Sequence, residues 1–517
     1  MNCLLVSFLL FQAAVYPQNG PADSVVIGRI RDEGLHRSQV RYIGRNITDM
    51  AGPRLTNSPG FFRAANWAVD KLKDWGLSNA QLEPWGEFGY GWSVDRSCIA
   101  LKSPYYEPLI GYAIPWSGST RGMLSAPVYM VTRWDSASVA RMADVTKGKI
   151  VLVRSTDTVI RSAFTASATR YTDSNLTHMR DEYMFSAADL KFFLPQVRRN
   201  NMLVRMLFQE GAVAVLNMSP GRDGTVYVDA IGGYKKTSPP GGPQLTLSKE
   251  SFLKIERLLE SGVPVNLELD IKTTLQKEDT KGYNVVAEIP GTDPALKEEV
   301  VMIGAHLDSW ASGTGATDNG AGSIVMLEVM RILKTLGIQP RRTIRIALWS
   351  GEEQGLLGSF NYVKNHFGDP ADMQLKPAQE KISLYLNLDN GTGKIRGIFD
   401  QGNKQADAVF SEWFKGFEDL GAGTVTQHYT GATDHLSFDA VGIPGFQFIQ
   451  DPIEYETRTH HSNMDTYDHL LPDDLSQAAT IIASFVYKAA MRQEKMPRKP
   501  LTKPQKFLFE QFADSTD

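Results

Sequence analysis

"EVVMIGAHLDSWASGTGATDNGAGSIVMLEVMRILKTLG", residues 299–337, joins three textures in one stretch. A near-continuous apolar run (299–308) ends in His306 and Asp308. A Gly-rich loop, "SGTGATDNGAG", follows and places Asp318 just before an apolar helical pattern. An apolar run of this kind suits a strand buried on both faces, as in a sheet covered by helices. The spacing therefore predicts strand, loop, helix, with polar groups gathered at the strand's carboxyl end. Doubly wound sheets place their ligands there.

The same grammar recurs downstream. "RTIRIALWS" (342–350), "KISLYLNLD" (381–389) and "GFQFIQ" (445–450) are apolar runs separated by helical patterns, closing with "SQAATIIASFVYKAAM". This predicts an α/β fold with a mixed, mostly parallel central sheet and helices on both faces. Upstream, Phe62, Ala65, Val69 and Leu72 recur at helical spacing and Gly76 is a natural stop, while "AQLEPWGEF" reads as a strand. Between these parts, "GKIVLV", "LVRMLFQEGAVAVLNM" and "SFLKIERLLESG" form a separate compact pattern, with "KKTSPPGGPQ" as a loop.

A chain of 517 residues exceeds a single core. The expected division is 1–20 as a signal peptide, 23–112 as the first part of the main α/β domain, 113–272 as an inserted smaller domain, 273–492 as the main part and 493–517 as an extended surface tail. The apolar run Leu4–Val15, ending near Ala13 and Ala14, is too short to span a bilayer and fits a secretory signal, although the usual positive flank is missing. A buried first helix is the competing reading. Without Cys3 the chain keeps Cys98 alone, so no internal disulfide is expected. No later membrane span is visible. With 54 basic against 58 acidic residues and no basic block, nucleic-acid binding has no electrostatic support.

The adjacent acids Glu352 and Glu353 in "SGEEQGLLGS" pose a question, because an apolar strand has just ended there. Alone they read as solvated loop residues. Likewise His306 alone reads as a core histidine, Asp318 as a helix cap, Asp389 in "LNLDNG" as a turn residue, and His460 and His461 in "THHSNMDTYD" as loop histidines. Together these types at successive strand and loop ends form a zinc ligand set. Structural zinc sites favour cysteine, so a catalytic site is the better fit.

The motifs "HLDS", "ATDNGAG", "GEEQGLLGS", "NLDN" and "HHSNMDT", with "AGPRLTNSPG" near the start, resemble the co-catalytic zinc exopeptidases, the family of bacterial leucyl aminopeptidases, glutamate carboxypeptidase and plasma carboxypeptidase Q. The resemblance covers most of the chain and implies two zinc ions. His306 and Asp389 would bind one, Glu353 and His461 the other, and Asp318 would bridge them. Glu352 would be the general base, and Asp308 would orient His306. By the same resemblance His461 is the ligand in preference to His460, because it directly precedes Ser462. Asp434 and His435 match a segment near the substrate without an assigned role.

The middle segment resembles a protease-associated domain, which would either shape access to the cleft or serve as a stability module. The function implied is a secreted or periplasmic metallopeptidase acting on peptide termini, with aminopeptidase action leading and dipeptidase or carboxypeptidase action as alternatives. A glutaminyl-cyclase-like acyltransferase and a binding domain with decayed ligands are the competing classes. A serine or cysteine hydrolase lacks a motif, since neither Ser350 nor Ser359 lies in a nucleophile elbow. Peptide substrates are the expected partners; oligomeric state is left open, a homodimer included.

Overall fold

The computed structural model describes residues 21–154, 165–238 and 241–510. The expected signal peptide lies outside the described residues. Two eight-stranded mixed sheets organise the chain. The catalytic sheet runs, in spatial order, Ser78–Glu87, Lys281–Ile289, Thr343–Trp349, Val300–His306, Ile382–Asn387, Gly445–Gln450, Ile395–Phe399 and Thr424–Thr426. The pairs among Thr343–Trp349, Val300–His306, Ile382–Asn387 and Gly445–Gln450 are parallel, so their carboxyl ends share one edge. Every residue of Val300–His306 is buried, as the apolar run predicts.

Helix Ala321–Thr335 is buried through Leu333 and packs with helix Pro472–Met491 into the large core beside this sheet. Helix Pro59–Asp74 starts where Ser58 Oγ accepts from the Phe61 N–H and Pro59 occupies the first turn. It stops at Gly76, whose φ of 78° is left-handed. Its buried face includes Phe61, Ala64 and Ala68 beside the expected Ala65, Val69 and Leu72. Phe62 is only half-buried and meets Tyr283 edge-on, because the apolar stripe is rotated by one residue at this end.

The second sheet runs from Glu107–Pro108 through Gly91–Ser103, Asn266–Gln276, Leu124–Val131, Ile150–Val153, Ala214–Met218 and Gln244–Leu247 to Gly111–Ala113. Strands Gly91–Ser103 and Asn266–Gln276 pair along most of their length, so this module's sheet reaches beyond the expected span 113–272 at both ends. The chain leaves the catalytic sheet at Glu87 and returns at Lys281, and those two residues face each other across antiparallel strands. Among the described residues, three isolated bridges tie the module back to the catalytic part: Thr169 to Ile453, Glu182 to Thr430, and Tyr227 to Ser462.

Residues 493–506 form neither helix nor strand, and the tail is not a loose surface segment. Met496 and Phe507 are buried, and Phe507 stacks on Phe360 at 4.6 Å. Arg498 donates to the carbonyls of Gln379, Ile382 and Gly442, satisfying backbone oxygens at the end of the sheet. Among the described residues no helix is long and apolar enough to cross a membrane, and Cys98 is free and exposed.

Candidate active site

The strand ends deliver the predicted residues to one place. His306 closes its strand, and its Nε2 lies 3.3 Å from Asp389 Oδ1, 3.4 Å from Asp318 Oδ1 and 3.8 Å from Glu352 Oε2. His461 Nε2 lies 3.0 Å from Glu353 Oε2 and 3.4 Å from Asp318 Oδ2. Asp318 thus presents one oxygen to each histidine. His460 also approaches Asp318 Oδ2, at 3.9 Å, and its other nitrogen faces Glu456 at 3.7 Å. Both histidines of the pair are near the cluster, with His461 the one that also reaches Glu353.

Three buried carboxylate oxygens here, Asp318 Oδ2, Glu353 Oε1 and Asp389 Oδ1, have no hydrogen-bond partner among the described residues. An unpaired buried charge is costly, and neighbouring carboxylates without protons or cations between them would repel. Hard oxygens and imidazole nitrogens converging in this way fit divalent cations such as zinc. Two donor groups, His306–Asp318–Asp389 and Asp318–His460–His461, have ligand atoms close enough for one ion each. Stripping bound metal with a chelator is therefore expected to lower the unfolding midpoint, since occupancy at 100-fold above Kd is worth about 2.7 kcal/mol per site. A midpoint unmoved by either chelator or added zinc would contradict the cation site.

The surroundings hold these groups by their backbones. His306 Nδ1 donates to the Asp308 carbonyl at 3.0 Å, which turns Nε2 towards Asp318 and Asp389. The Asp308 carboxylate sits 3.6 Å from that same Nδ1 but has other work. It accepts from Thr56 Oγ1 at 2.8 Å and, at 3.4 Å, from the N–H groups of Glu352 and Glu353. Asp308 thus meets His306 Nδ1 through its main-chain carbonyl, with its carboxylate alongside, and the same carboxylate shapes the Glu-Glu turn.

Arg54 shows what "AGPRLTNSPG" contributes. Its buried guanidinium donates to the carbonyls of Leu307 (2.6 Å), Gly315 (2.7 Å), Ile47 (3.3 Å) and Thr314, pinning the loop that leads into Asp318. Burial lowers it to about 10, offset by Asp465, Asp308, Asp318 and Glu353, so it stays cationic at neutral pH. Asp465 accepts from the N–H groups of Thr317 (2.6 Å) and Asp318 (3.0 Å). Burial pushes its carboxyl up to about 7. Thr433 Oγ1 donates to Asp389 Oδ2 at 2.6 Å.

Electrostatics separate the acids. Burial opposes ionisation of Asp318, yet the hydrogen bond to His306 and the imidazoles of His460 and His461 hold it well below the usual range. Burial first, then the Asp389, Asp434 and Glu353 carboxylates, raise Glu352 well above that range. Asp434 is buried behind the site and held up to about 8. His435, pushed down to about 3 by burial, is neutral and faces the Thr430 carbonyl at 3.1 Å.

A cavity of about 370 Å³ opens over the cluster. Its walls include Tyr183, Phe185, Phe193 and Asp229 from the inserted module, Tyr455 and Glu456 from the histidine loop, and Phe509 from the tail. Sequence patterning gives no sign of these wall residues, because they converge from segments hundreds of positions apart.

Residues 284–486 match the profile of peptidase family M28. Carboxypeptidase Q of Pongo abelii is 28% identical over 457 residues, covering 87% of this chain and 85% of that protein. Leupeptin-inactivating enzyme 1 of Streptomyces exfoliatus is 38% identical over 180 residues, 33% of this chain and 37% of that one. The crystal structure of a peptidase M28 precursor from Shewanella amazonensis aligns with a TM-score of 0.65 at 25% identity, covering 93% of this chain and 99% of that one. The acid–histidine cluster at the sheet edge lies inside the segment 284–486 that matches peptidase family M28, and the chain is a metallopeptidase.

Proposed function

We propose that this metallopeptidase is a secreted zinc exopeptidase that removes residues from the amino end of peptides. In this reading His306 and Asp389 hold one zinc, Glu353 and His461 the second, and Asp318 both. When bound, zinc supplies Lewis-acid polarisation of the scissile carbonyl and acidifies a water. Glu352, close to His306 but outside both ligand pairs, takes a proton from the attacking water and delivers it to the leaving nitrogen. Asp308 holds the backbone of both glutamates so that successive side chains diverge, one to metal and one to the proton. The inserted module, which resembles a protease-associated domain, forms one wall of the cleft with Tyr183, Phe185 and Phe193.

One observation carries the choice of the amino end. The described residues lining the cavity include six carboxylates, Asp229, Asp318, Glu352, Glu353, Asp389 and Glu456, and no lysine or arginine. Asp229 and Glu456 stand outside the proposed ligand set, so their charge favours an incoming ammonium and disfavours a terminal carboxylate. A second reading, release of the carboxyl-terminal residue, is favoured by the relatives named carboxypeptidase Q that align over most of the chain.

Matched peptides with free, N-acetylated and C-amidated ends separate the two. For aminopeptidase action, acetylation is expected to lower kcat/KM by about 10–100-fold, the worth of a charged hydrogen bond, and amidation to leave it nearly unchanged. Full activity on the acetylated peptide with refusal of the amidated one reverses the assignment. Loss of ammonia from a Gln-initiated peptide without chain cleavage would point instead to acyl transfer.

A further inference from the structure

The wall that the inserted module gives to the cleft is a hydrogen-bonded seam. Residues 224–228 run beside residues 461–463, with Tyr227 and Ser462 forming an antiparallel bridge. The Val228 N–H donates to the His461 carbonyl at 2.9 Å, and the Asn463 N–H donates to the Val226 carbonyl at 3.1 Å. The Asn463 side chain completes the seam. Its Oδ1 accepts from the Val226 N–H at 2.7 Å, and its Nδ2 donates to the Gly224 carbonyl at 3.2 Å.

His461 lies at the end of this seam with φ of 57°, a left-handed conformation that a residue with a side chain adopts rarely. Such conformations persist where surrounding contacts over-determine them. Ring contacts act in the same direction. Trp310 meets His461 edge-on at 5.9 Å, and Trp310 itself packs in the module's hydrophobic core beside Trp116.

We propose that the inserted module is a working part of the metal centre, and that Asn463 is a positioning residue that holds His461 for the second zinc. The inference rests on the two-zinc reading above. The seam holds the backbone from which His461 Nε2 meets Glu353 and Asp318. The other ligand pair depends on the module less directly: His306 ends a strand paired on both sides within the catalytic sheet, and Asp389 is held by Thr433, whose loop meets the module three residues upstream, where Thr430 bridges to Glu182. Loosening the seam therefore weakens one metal site and spares the other.

The test titrates zinc alone into metal-free full-length protein, wild type and Asn463→Ala, in a chelator-buffered series. In the variant one zinc affinity is expected to fall by about 10–100-fold, the usual cost of losing support behind a ligand, with the other within about twofold of wild type. Turnover at limiting zinc falls with it and returns in excess zinc. Asn463→Asp keeps the acceptor for the Val226 N–H and loses the donor to Gly224, so its selective loss is smaller; it carries the same test should the alanine variant not fold. Equal weakening of both sites, or two unchanged affinities, overturns the role of Asn463 alone. A wild type that takes up only one zinc overturns the two-zinc reading and this inference with it.

Discussion

Asp318→Ala is expected to abolish turnover and to reduce zinc uptake at both positions, because its two oxygens face His306 and His461 separately. The fold should survive the change. Asp465 holds residues 317 and 318 largely through their main-chain N–H groups, which alanine retains. Removing the carboxylate costs the metal-free protein its attraction to the imidazoles of His306, His460 and His461, which hold Asp318 below the usual range. The metal-free variant should consequently unfold at or below the midpoint of metal-free wild type, and it should lose most of the stabilisation that zinc gives. Zinc content, turnover and melting with and without chelator measure all three. Retention of two tightly bound zinc ions would sink the assignment of Asp318 as the shared ligand.

Glu352→Gln separates proton transfer from metal binding. The amide keeps the side chain's size and cannot accept a proton, so turnover should fall by roughly 10²–10⁴-fold with zinc content unchanged. Glu353→Gln alters a group 3.0 Å from His461, so it should weaken one zinc and recover part of its activity in excess metal. Solvated loop acids would behave otherwise, since surface substitutions are usually nearly neutral. Near wild-type turnover by the Glu352 variant would remove it as the base.

Both experiments address residues that are legible in the sequence, and the reason is physical. Strands buried on both faces must be apolar throughout, so His306, Glu352 and Asp389 stand out where each run ends. The groups that steady them are less visible. Arg54 lies in a quoted motif, yet its four carbonyl partners are brought to it by the fold from as far as residue 315. Asp465 looks like any loop acid until its contacts with Thr317 and Asp318 are seen. Tyr183, Phe185 and Phe509 belong to segments with no shared periodicity, so their meeting at the cleft follows from tertiary packing alone. The tail misled for a related reason: prolines signal an extended backbone but do not tell whether Met496 and Phe507 find a core to enter.

The facing positions of Glu87 and Lys281 bear on how the chain is made. The strand Ser78–Glu87 belongs to the catalytic sheet, but its pairing partner is synthesised only after the whole inserted module. At about 5–20 residues per second, the ribosome takes roughly 10–40 seconds to cover that interval. For that time the early helices and their strand lack the sheet they cover, while the module, whose strands close on one another, has almost all of its sequence available. Domains generally fold as units during synthesis, so the module completes first and its closing strands bring the two severed edges of the catalytic sheet together. The pairing of Gly91–Ser103 with Asn266–Gln276 acts as a clasp on the strands it joins, converting a distant pairing into a local one.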